Sequence, residues 1–154
     1  DPAAIAVAAE ATEPVAVCVM HMQGEPQTMQ QTPRYDDVVA DVEAWLGGRR
    51  DALLAAGIGA DRICIDPGFG FGKTLAHNLD LLRATTRLAA VAPVLVGISR
   101  KSMLGQLTGR PVGQRLGASV AAALAAVDRG AALVRVHDVA DTVAALKIWR
   151  AVAA

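Results

Sequence analysis

Short runs of apolar residues alternate along this chain with longer stretches in which apolar residues recur every three or four positions. The runs cover residues 15–20, 62–65, 93–97 and 133–136. A short, unbroken apolar run is typical of a strand that is covered on both faces. The sequence therefore predicts four buried strands, each only a few residues long.

The longer stretches follow the strands and have the spacing of amphipathic helices. Because strand and helix alternate, we expect parallel strands joined by right-handed crossovers, and four such units are half of an eightfold α/β barrel. Gly47 and Gly48 interrupt the first of the four helices, so we expect a weakened or bent helix there, and Gly130 is placed to end the third. The predicted helices cover residues 35–56, 77–91, 114–129 and 138–153, and a further helix covers residues 2–11.

The length of 154 residues suits a single domain that buries most of its apolar surface. No linker or low-complexity tract divides residues 1–154, so we treat them as part of one domain. The first residue is Asp1 and a helical pattern is already in progress over residues 2–11, so we expect the chain to begin partway through a longer protein.

Charge and cysteine content exclude several classes of partner. The 15 basic and 15 acidic residues balance, so no global field attracts nucleic acid or an anionic membrane, and any anion site must be local. Cys18 and Cys64 lie inside apolar runs, where a thiol usually behaves as a small buried hydrophobic group. They do not indicate a disulfide framework, and the lack of such a framework favours a reducing compartment such as the cytoplasm. No apolar run approaches the roughly 18 residues of a membrane span, and no basic-then-apolar leader occurs.

At the end of each predicted strand, two residues at alternate positions are polar, sulfur-containing or glycine, and such residues lie on the same face of the strand; we say that they share a parity. Side chains alternate between the faces of a strand, and parallel barrels bind ligands where their strands end. We therefore expect Asp66, Arg135 and His137 to bring a carboxylate, a guanidinium and an imidazole around one pocket. The alternative for the two cations is a surface strand face or an ion pair with Asp138. The residues that share a parity are Cys18 with Met20, Cys64 with Asp66, Gly97 with Ser99, and Arg135 with His137.

The segment after the second strand, residues 68–74, is rich in glycine but matches no nucleotide-binding loop. A P-loop would need glycine where Pro67 stands, and a dinucleotide-binding loop would need its third glycine later than Gly72. The segment carries Phe69 and Phe71, the two phenylalanines of the chain. Two interpretations stay open: the rings stack against a flat ligand, or they pack to close the mouth of the barrel.

A basic turn with the sequence Ser99-Arg-Lys-Ser102 follows the third strand. Two cations between two hydroxyls at a strand-to-helix turn suit an anion, and a solvated basic turn is the alternative. His21 and His77 have no second ligand at a zinc-like spacing, so we interpret both as structural. The sequence offers no set of metal ligands.

Four motifs occur in order through nearly the whole chain and together closely resemble dihydropteroate synthase of folate biosynthesis. The motifs are Val19-Met-His-Met-Gln-Gly24 with Thr28-Met-Gln30, Ile65-Asp-Pro-Gly-Phe-Gly-Phe-Gly-Lys73, Leu95-Val-Gly-Ile-Ser-Arg-Lys-Ser102 and Val134-Arg-Val-His-Asp138. That family has the parallel (β/α)8 TIM-barrel fold. The resemblance implies that this chain is the C-terminal half of such a barrel, covering about its last four βα units.

The resemblance implies three catalytic residues, Lys101, Arg135 and His137. Asp66 corresponds to the carboxylate that binds the aminopyrimidine edge of the pterin through a charge-assisted bidentate bond. Arg135 corresponds to the arginine whose planar guanidinium stacks on the pterin and reaches toward diphosphate, and His137 to a diphosphate ligand. Lys101 corresponds to the lysine that hydrogen-bonds the pterin and borders the aminobenzoate pocket.

The same resemblance implies further substrate-binding positions. Gly70 and Phe71 would flank the aminobenzoate ring, and Ser102 with the helix that follows would receive its carboxylate. Met20 would line the pterin pocket, and Gly97 is a further substrate-binding position.

The implied activity is that of a transferase, which joins 6-hydroxymethyl-7,8-dihydropterin diphosphate to 4-aminobenzoate and releases diphosphate. Mg²⁺ is the implied cofactor, and its main protein ligand is expected in the N-terminal half, outside this chain. Diphosphate would leave before the amine attacks, in an SN1-like path. Sulfonamides are expected competitors, and a homodimer is expected for the complete protein. Because the first four βα units would hold the rest of the site, we expect the isolated chain to have no condensation activity.

Two other interpretations stay open. Another pterin-binding barrel, such as a corrinoid-linked methyltransferase domain, would share the aspartate at the second strand end but should lack the clusters at residues 99–102 and 135–137. A non-catalytic half barrel could act as an interaction module, which would require that the chain natively start at residue 1.

Overall fold

Parallel strands and helices alternate through the computed structural model, which describes residues 2–11 and 15–153. The strands are β1 (Val17–Met20), β2 (Ile63–Asp66), β3 (Leu95–Val96) and β4 (Leu133–Val134). The helices are α1 (Pro2–Ala9), α2 (Val38–Ala55), α3 (Leu75–Arg83), α4 (Thr85–Ala89), α5 (Ser102–Thr108), α6 (Leu116–Asp128) and α7 (Val139–Ala153). The predicted α/β class is confirmed, although β3 and β4 are shorter than their apolar runs.

The four strands lie side by side in chain order. β1 pairs with β2 in a parallel register that sets Met20 beside Asp66, and β3 pairs with β4 in the same sense. A parallel bridge between Ile65 and Val94 joins the two pairs, and the Ile65 N–H donates to the Pro93 carbonyl at 2.9 Å. All strands therefore end at one edge, which gathers the polar residues that follow β2, β3 and β4.

One main core holds the helices against this sheet. Val42 and Leu46 of α2 are fully buried with Ile65, Phe69 and Leu81. A smaller cluster of Leu53, Ile58 and Ile63 packs at the opposite end of α2. Burial of each such side chain contributes about 1.5–3 kcal/mol, so the strand ends rest on a packed support.

Two of the predicted helices differ in detail from the sequence-based expectation. The α2 helix runs through Gly47 and Gly48 without interruption, so the two glycines do not divide it. The predicted helix over residues 77–91 is divided into α3 and α4 at Ala84. The buried Thr85 hydroxyl donates to the Leu82 carbonyl at 2.8 Å, and a side chain that competes for backbone carbonyls in this way favours a break. Gly130 follows α6 with φ +90°, as predicted for a helix end.

The expectation that both cysteines are buried is wrong. Cys18 is exposed and Cys64 is half-buried, and both thiols are free. Cys18 lies between Val17 and Val19, which pack against the two apolar clusters, so its own side chain is on the other face of the strand. No helix within residues 2–11 and 15–153 is long and apolar enough to cross a membrane.

Candidate functional site

Asp66 ends β2 and places its carboxylate at the strand-end edge. The residue is 4% exposed, and its Oδ1 accepts the Gly68 N–H at 2.7 Å. Burial raises the pKa of the Asp66 carboxyl, while the Gly68 N–H and the charges of Lys101, Arg135 and Lys73 act in the opposite sense. Three cations therefore surround one buried acid, which favours its ionised form against the cost of burial.

The glycine-rich loop lies directly against the segment that follows β1. Gly68, Gly70 and Gly72 all have positive φ, at 72°, 78° and 63°. A Cβ at Gly68 would lie 1.8 Å from the His21 carbonyl oxygen, and one at Gly72 would lie 2.3 Å from that of Gln23. Only glycine fits these two positions, because both the backbone conformation and the close approach of another main chain exclude a side chain.

The two phenylalanines of this loop have different environments. Phe69 is fully buried and belongs to the main core. Phe71 is half-buried, and the Lys101 Nζ lies 4.3 Å from the centroid of its ring. The packing interpretation is thus correct for Phe69, while the ring of Phe71 stays partly accessible beside the Lys101 ammonium.

Lys101 connects the end of β3 to the glycine-rich loop. Its ammonium donates a hydrogen bond to the Phe69 carbonyl, and its chain passes Gly70, where a Cβ would lie 3.5 Å from the lysine Cδ. Burial lowers the pKa of Lys101 to about 8; Asp66 raises it and Arg135 lowers it. The basic turn is therefore not simply solvated, because one of its two cations is folded into the site.

The other cation, Arg100, holds the turn together. It has φ +60°, the one positive φ among the non-glycine residues that the structure describes. Its N–H donates to the Ser119 hydroxyl at 3.0 Å, its carbonyl accepts from Arg115 at 2.9 Å, and its Nε lies 3.1 Å from Asp138 Oδ2. Asp138 therefore pairs with Arg100, and the alternative of an ion pair with Arg135 or His137 is wrong.

A cavity of about 320 Å³ lies just beyond the paired ends of β3 and β4. Ser99 anchors it: the hydroxyl accepts the His137 N–H at 3.2 Å and lies 3.0 Å from the imidazole Nδ1. Gly97 leaves room for Arg135, because a Cβ there would lie 3.2 Å from the guanidinium Nη2. The cavity is lined by Gly97, Ser99, Lys101, Arg135, Val136 and His137.

The remaining predicted residues lie along the same edge. Met20 is half-buried and pairs in register with Asp66. Ser102 is exposed and opens α5, which is only seven residues long. It lines a second cavity of about 460 Å³ between α5 and the glycine-rich loop. The predicted site residues thus lie at the strand-end edge: Gly97, Lys101, Arg135 and His137 line the first cavity and Ser102 lines the second, whereas Met20, Asp66, Gly70 and Phe71 line neither.

Three residues of the site carry contacts that the sequence did not predict. Asn78 of α3 accepts the Gly70 N–H at 2.7 Å, and Gln30 donates to the Gly70 carbonyl. Lys73 is buried beneath the loop. A polar residue on the inner face of α3 was a signal for Asn78, whereas a lysine at the end of a glycine-rich loop gives no periodic signal. His77 accepts from the Thr74 N–H in a capping box, as expected of a structural histidine.

Comparison with known proteins identifies the family. The profile of the pterin binding enzyme family matches residues 1–137. The chain belongs to the pterin-binding enzyme family. A dihydropteroate synthase of Neisseria meningitidis serogroup C is 54% identical over 138 residues, which are 88% of this chain and 49% of that protein.

Solved structures agree with this assignment. The dihydropteroate synthase of Stenotrophomonas maltophilia, solved with imidazole in its active site, superposes with a TM-score of 0.94 at 53% identity and covers 100% of this chain and 58% of that one. The enzyme of Thermus thermophilus in complex with 4-aminobenzoate gives 0.93 at 46% identity, covering 100% of this chain and 62% of that one. The resemblance carried by the four motifs is confirmed, and the chain spans about half the length of the curated relatives it matches.

Proposed function

We propose that this chain forms the last four βα units of an eight-unit barrel and supplies the C-terminal part of a dihydropteroate synthase, a transferase. The observation that carries this proposal is the meeting of Asp66, Lys101 and Arg135 beside Phe71 at the ends of β2, β3 and β4. One carboxylate and two cations next to an aromatic ring suit a flat, hydrogen-bonding heterocycle that carries an anionic group.

The pterin diphosphate is assigned to the β2–β4 edge. Asp66 would accept two parallel N–H donors of the aminopyrimidine edge, while Met20 lines one side of that pocket. Arg135, which has room beside Gly97, would stack its guanidinium on the ring and reach the diphosphate. The exposed imidazole of His137, oriented by Ser99, would be a second diphosphate ligand.

The 4-aminobenzoate is assigned to the glycine-rich loop. Gly70 and Phe71 would flank its ring, with Lys101 at the border between the two substrates. The Ser102 hydroxyl would receive the carboxylate, since it faces the cavity beside this loop. The relative from Thermus thermophilus, solved with 4-aminobenzoate, supports this choice of substrate. Sulfonamides would compete for the same place because they present a similar arylamine.

The proposed condensation breaks one bond and forms another. The bond between the pterin methylene carbon and the diphosphate oxygen breaks, and diphosphate leaves with the electron pair. The arylamine nitrogen then attacks the methylene carbon, forms the C–N bond and loses a proton to solvent. Lys101, Arg135 and His137 would stabilise the developing negative charge of diphosphate, and the loop would align the two rings.

The residues that the structure describes do not form a set of side chains that could bind Mg²⁺. Mg²⁺ binds through carboxylates and other oxygen ligands. No group of three or more His, Cys, Asp or Glu side chains that could hold a metal occurs within residues 2–11 and 15–153. We therefore assign this chain no step through the metal, and we propose that its main protein ligand lies in the N-terminal half.

A homodimer of the complete protein in the cytoplasm is also part of this proposal. Helix α7 presents exposed apolar side chains, including Val139, Ile148 and Val152, at 60%, 69% and 83% exposure. Apolar side chains of this size on one helix suit a protein contact.

Reconstitution tests the proposed function. This chain would be joined behind the N-terminal half of the Stenotrophomonas maltophilia relative, which gives a protein called here the reconstituted enzyme. We expect it to form dihydropteroate from the two substrates, with inhibition by a sulfonamide, while the chain alone forms none. Turnover by the chain alone, or no turnover by the well-folded reconstituted enzyme, would contradict the proposal.

A further inference from the structure

Lys73 ends the glycine-rich loop and buries its ammonium, with only 3% of the residue exposed. Three acceptors surround the Nζ: His21 Nδ1 at 3.0 Å, the Gly68 carbonyl at 3.1 Å and the Phe71 carbonyl at 3.1 Å. A lysine ammonium has three donors. Protein groups therefore satisfy this cation completely, and it has no donor left for a substrate.

We propose that Lys73 is a positioning residue, which fastens the glycine-rich loop to the end of β1 through a neutral His21 and so sets the place of Gly70 and Phe71. The inference rests on the proposed function, because these two loop residues are the ones assigned to the aminobenzoate ring. The three acceptors show how it works: two are carbonyls of the loop itself, and the third belongs to the residue that follows β1.

His21 is suited to accept from a cation. It is 6% exposed, and its ring packs edge-on against Trp45 at 5.1 Å. Burial lowers the pKa of His21 to about 4, and the charge of Lys73 acts in the same direction. Near neutral pH the imidazole is therefore uncharged. For Nδ1 to accept from Lys73, the ring proton must lie on Nε2.

Lys73 stays a cation because a charge of opposite sign compensates part of its burial. Burial lowers the pKa of Lys73 to about 8; the Asp66 carboxylate raises it and the Lys101 ammonium lowers it. The facing groups are thus Asp66, Lys101 and neutral His21, with the Tyr35 ring 6.0 Å from the ammonium. Most of the lysine is protonated near neutral pH.

Other side chains hold the loop at different atoms. Asn78 accepts the Gly70 N–H at 2.7 Å, and the Tyr35 hydroxyl donates to the Gly72 carbonyl at 2.9 Å. Lys73 alone among these contacts joins the Phe71 carbonyl to the segment after β1. Loss of Lys73 should therefore shift the position of Phe71 more than that of Asp66. Asp66 is held independently, because it belongs to β2 and its carbonyl accepts the His21 N–H at 3.0 Å.

The kinetic test uses the reconstituted enzyme with Lys73→Met, which keeps the length of the side chain but removes its donors. The matched control is Lys147→Met, because Lys147 is exposed on α7. We expect KM for 4-aminobenzoate to rise about tenfold or more and KM for the pterin diphosphate to change less than about threefold. Equal loss for both substrates, or none, would overturn the positioning role.

A second measurement needs neither a variant nor turnover. Nitrogen-15 NMR of the 154-residue chain near neutral pH should show His21 as the neutral tautomer protonated at Nε2. A charged ring, or a proton on Nδ1, would overturn the inference. If the unmodified reconstituted enzyme is inactive, the proposed function fails, while this measurement still decides whether Lys73 binds His21 as described.

Discussion

Two lysines at neighbouring strand ends have the same lowered pKa but different surroundings. Burial lowers the pKa of both Lys73 and Lys101 to about 8. The Lys73 ammonium is enclosed by three acceptors of the protein, whereas Lys101 is half-buried, donates to the Phe69 carbonyl and lies over the Phe71 ring. The surroundings of Lys73 are therefore closed to solvent, whereas Lys101 lines the cavity at the ends of β3 and β4.

The difference shows that a shifted pKa does not by itself identify a substrate contact. Perturbed groups cluster at functional sites, but structural contacts perturb them as well. What separates the two lysines is whether their donors already have partners. We therefore assign Lys101 to the substrates and Lys73 to the loop that positions them.

The largest expected effect comes from Lys101→Met in the reconstituted enzyme. We expect kcat/KM to fall about a hundredfold or more, because the variant loses a charged group that we propose contacts both substrates. The thermal stability should change little, since the variant also removes the cost of burying that charge. Steady-state kinetics and a melting curve measure the two effects, with the exposed Lys147→Met as the control. A large fall in stability with activity retained would reverse the roles of the two lysines.

Arg135 and His137 should divide the binding of the pterin diphosphate between them. Arg135→Lys keeps the charge but loses the planar guanidinium, so binding of a pterin without diphosphate should weaken about tenfold. His137→Ala should leave that binding nearly unchanged, because the imidazole is assigned to diphosphate. Both variants should slow turnover. Fluorescence titration with a diphosphate-free pterin measures the difference, and equal responses of the two variants would disprove this division.

The sequence predicted the strand-end edge better than it predicted the contacts beneath it. Apolar runs and parity placed Asp66, Arg135 and His137 correctly on one edge, because a strand has a strict two-residue period. Lys73 lies in a loop, where no period relates a residue to its surroundings. Its partner His21 is distant in sequence, so only the folded chain shows the pair.

Tertiary packing also explains why α2 continues through its two glycines and why the prediction for Cys18 was wrong. Helix propensity alone suggested a weakened or bent helix at Gly47 and Gly48. The α2 helix runs through both because it packs into the main core through Val42 and Leu46, and their burial outweighs the roughly 1 kcal/mol that a glycine costs in a helix. An apolar run predicts a strand but not which elements cover each face. Cys18 is therefore exposed although its neighbours in sequence are apolar.

The smallest expected effect is a pH dependence of stability that the buried Lys73 introduces. The pKa of Lys73 is about 8 in the folded chain, below its ordinary value of 10.5. Between these values the unfolded chain binds more protons, so this lysine makes the free energy of unfolding rise with pH. Lys73→Met should remove that rise, by at most about 1.4 kcal/mol per pH unit.

Urea unfolding of the unmodified protein and of Lys73→Met between about pH 8 and pH 9 measures this slope as a difference. The opposing contribution of Cys18, whose pKa burial raises to about 12, is common to both proteins and cancels. Substrate affinity should instead fall with rising pH over the same range, because Lys101, with a pKa of about 8, loses the charge that we propose binds substrate. An unchanged slope in Lys73→Met would contradict the burial of the Lys73 ammonium.

The central claim is that the buried carboxylate at the end of β2 recognises the pterin, and calorimetry of Asp66→Asn tests it most directly. The reconstituted enzyme would be titrated with the pterin substrate, and Asp128→Asn, a change at an exposed aspartate of α6, is the control. We predict that Asp66→Asn weakens binding by about 1.5–3 kcal/mol, because it removes a charged acceptor and leaves two donors of the ligand poorly matched. Affinity equal to that of the control would contradict the claim and remove Asp66 from the site.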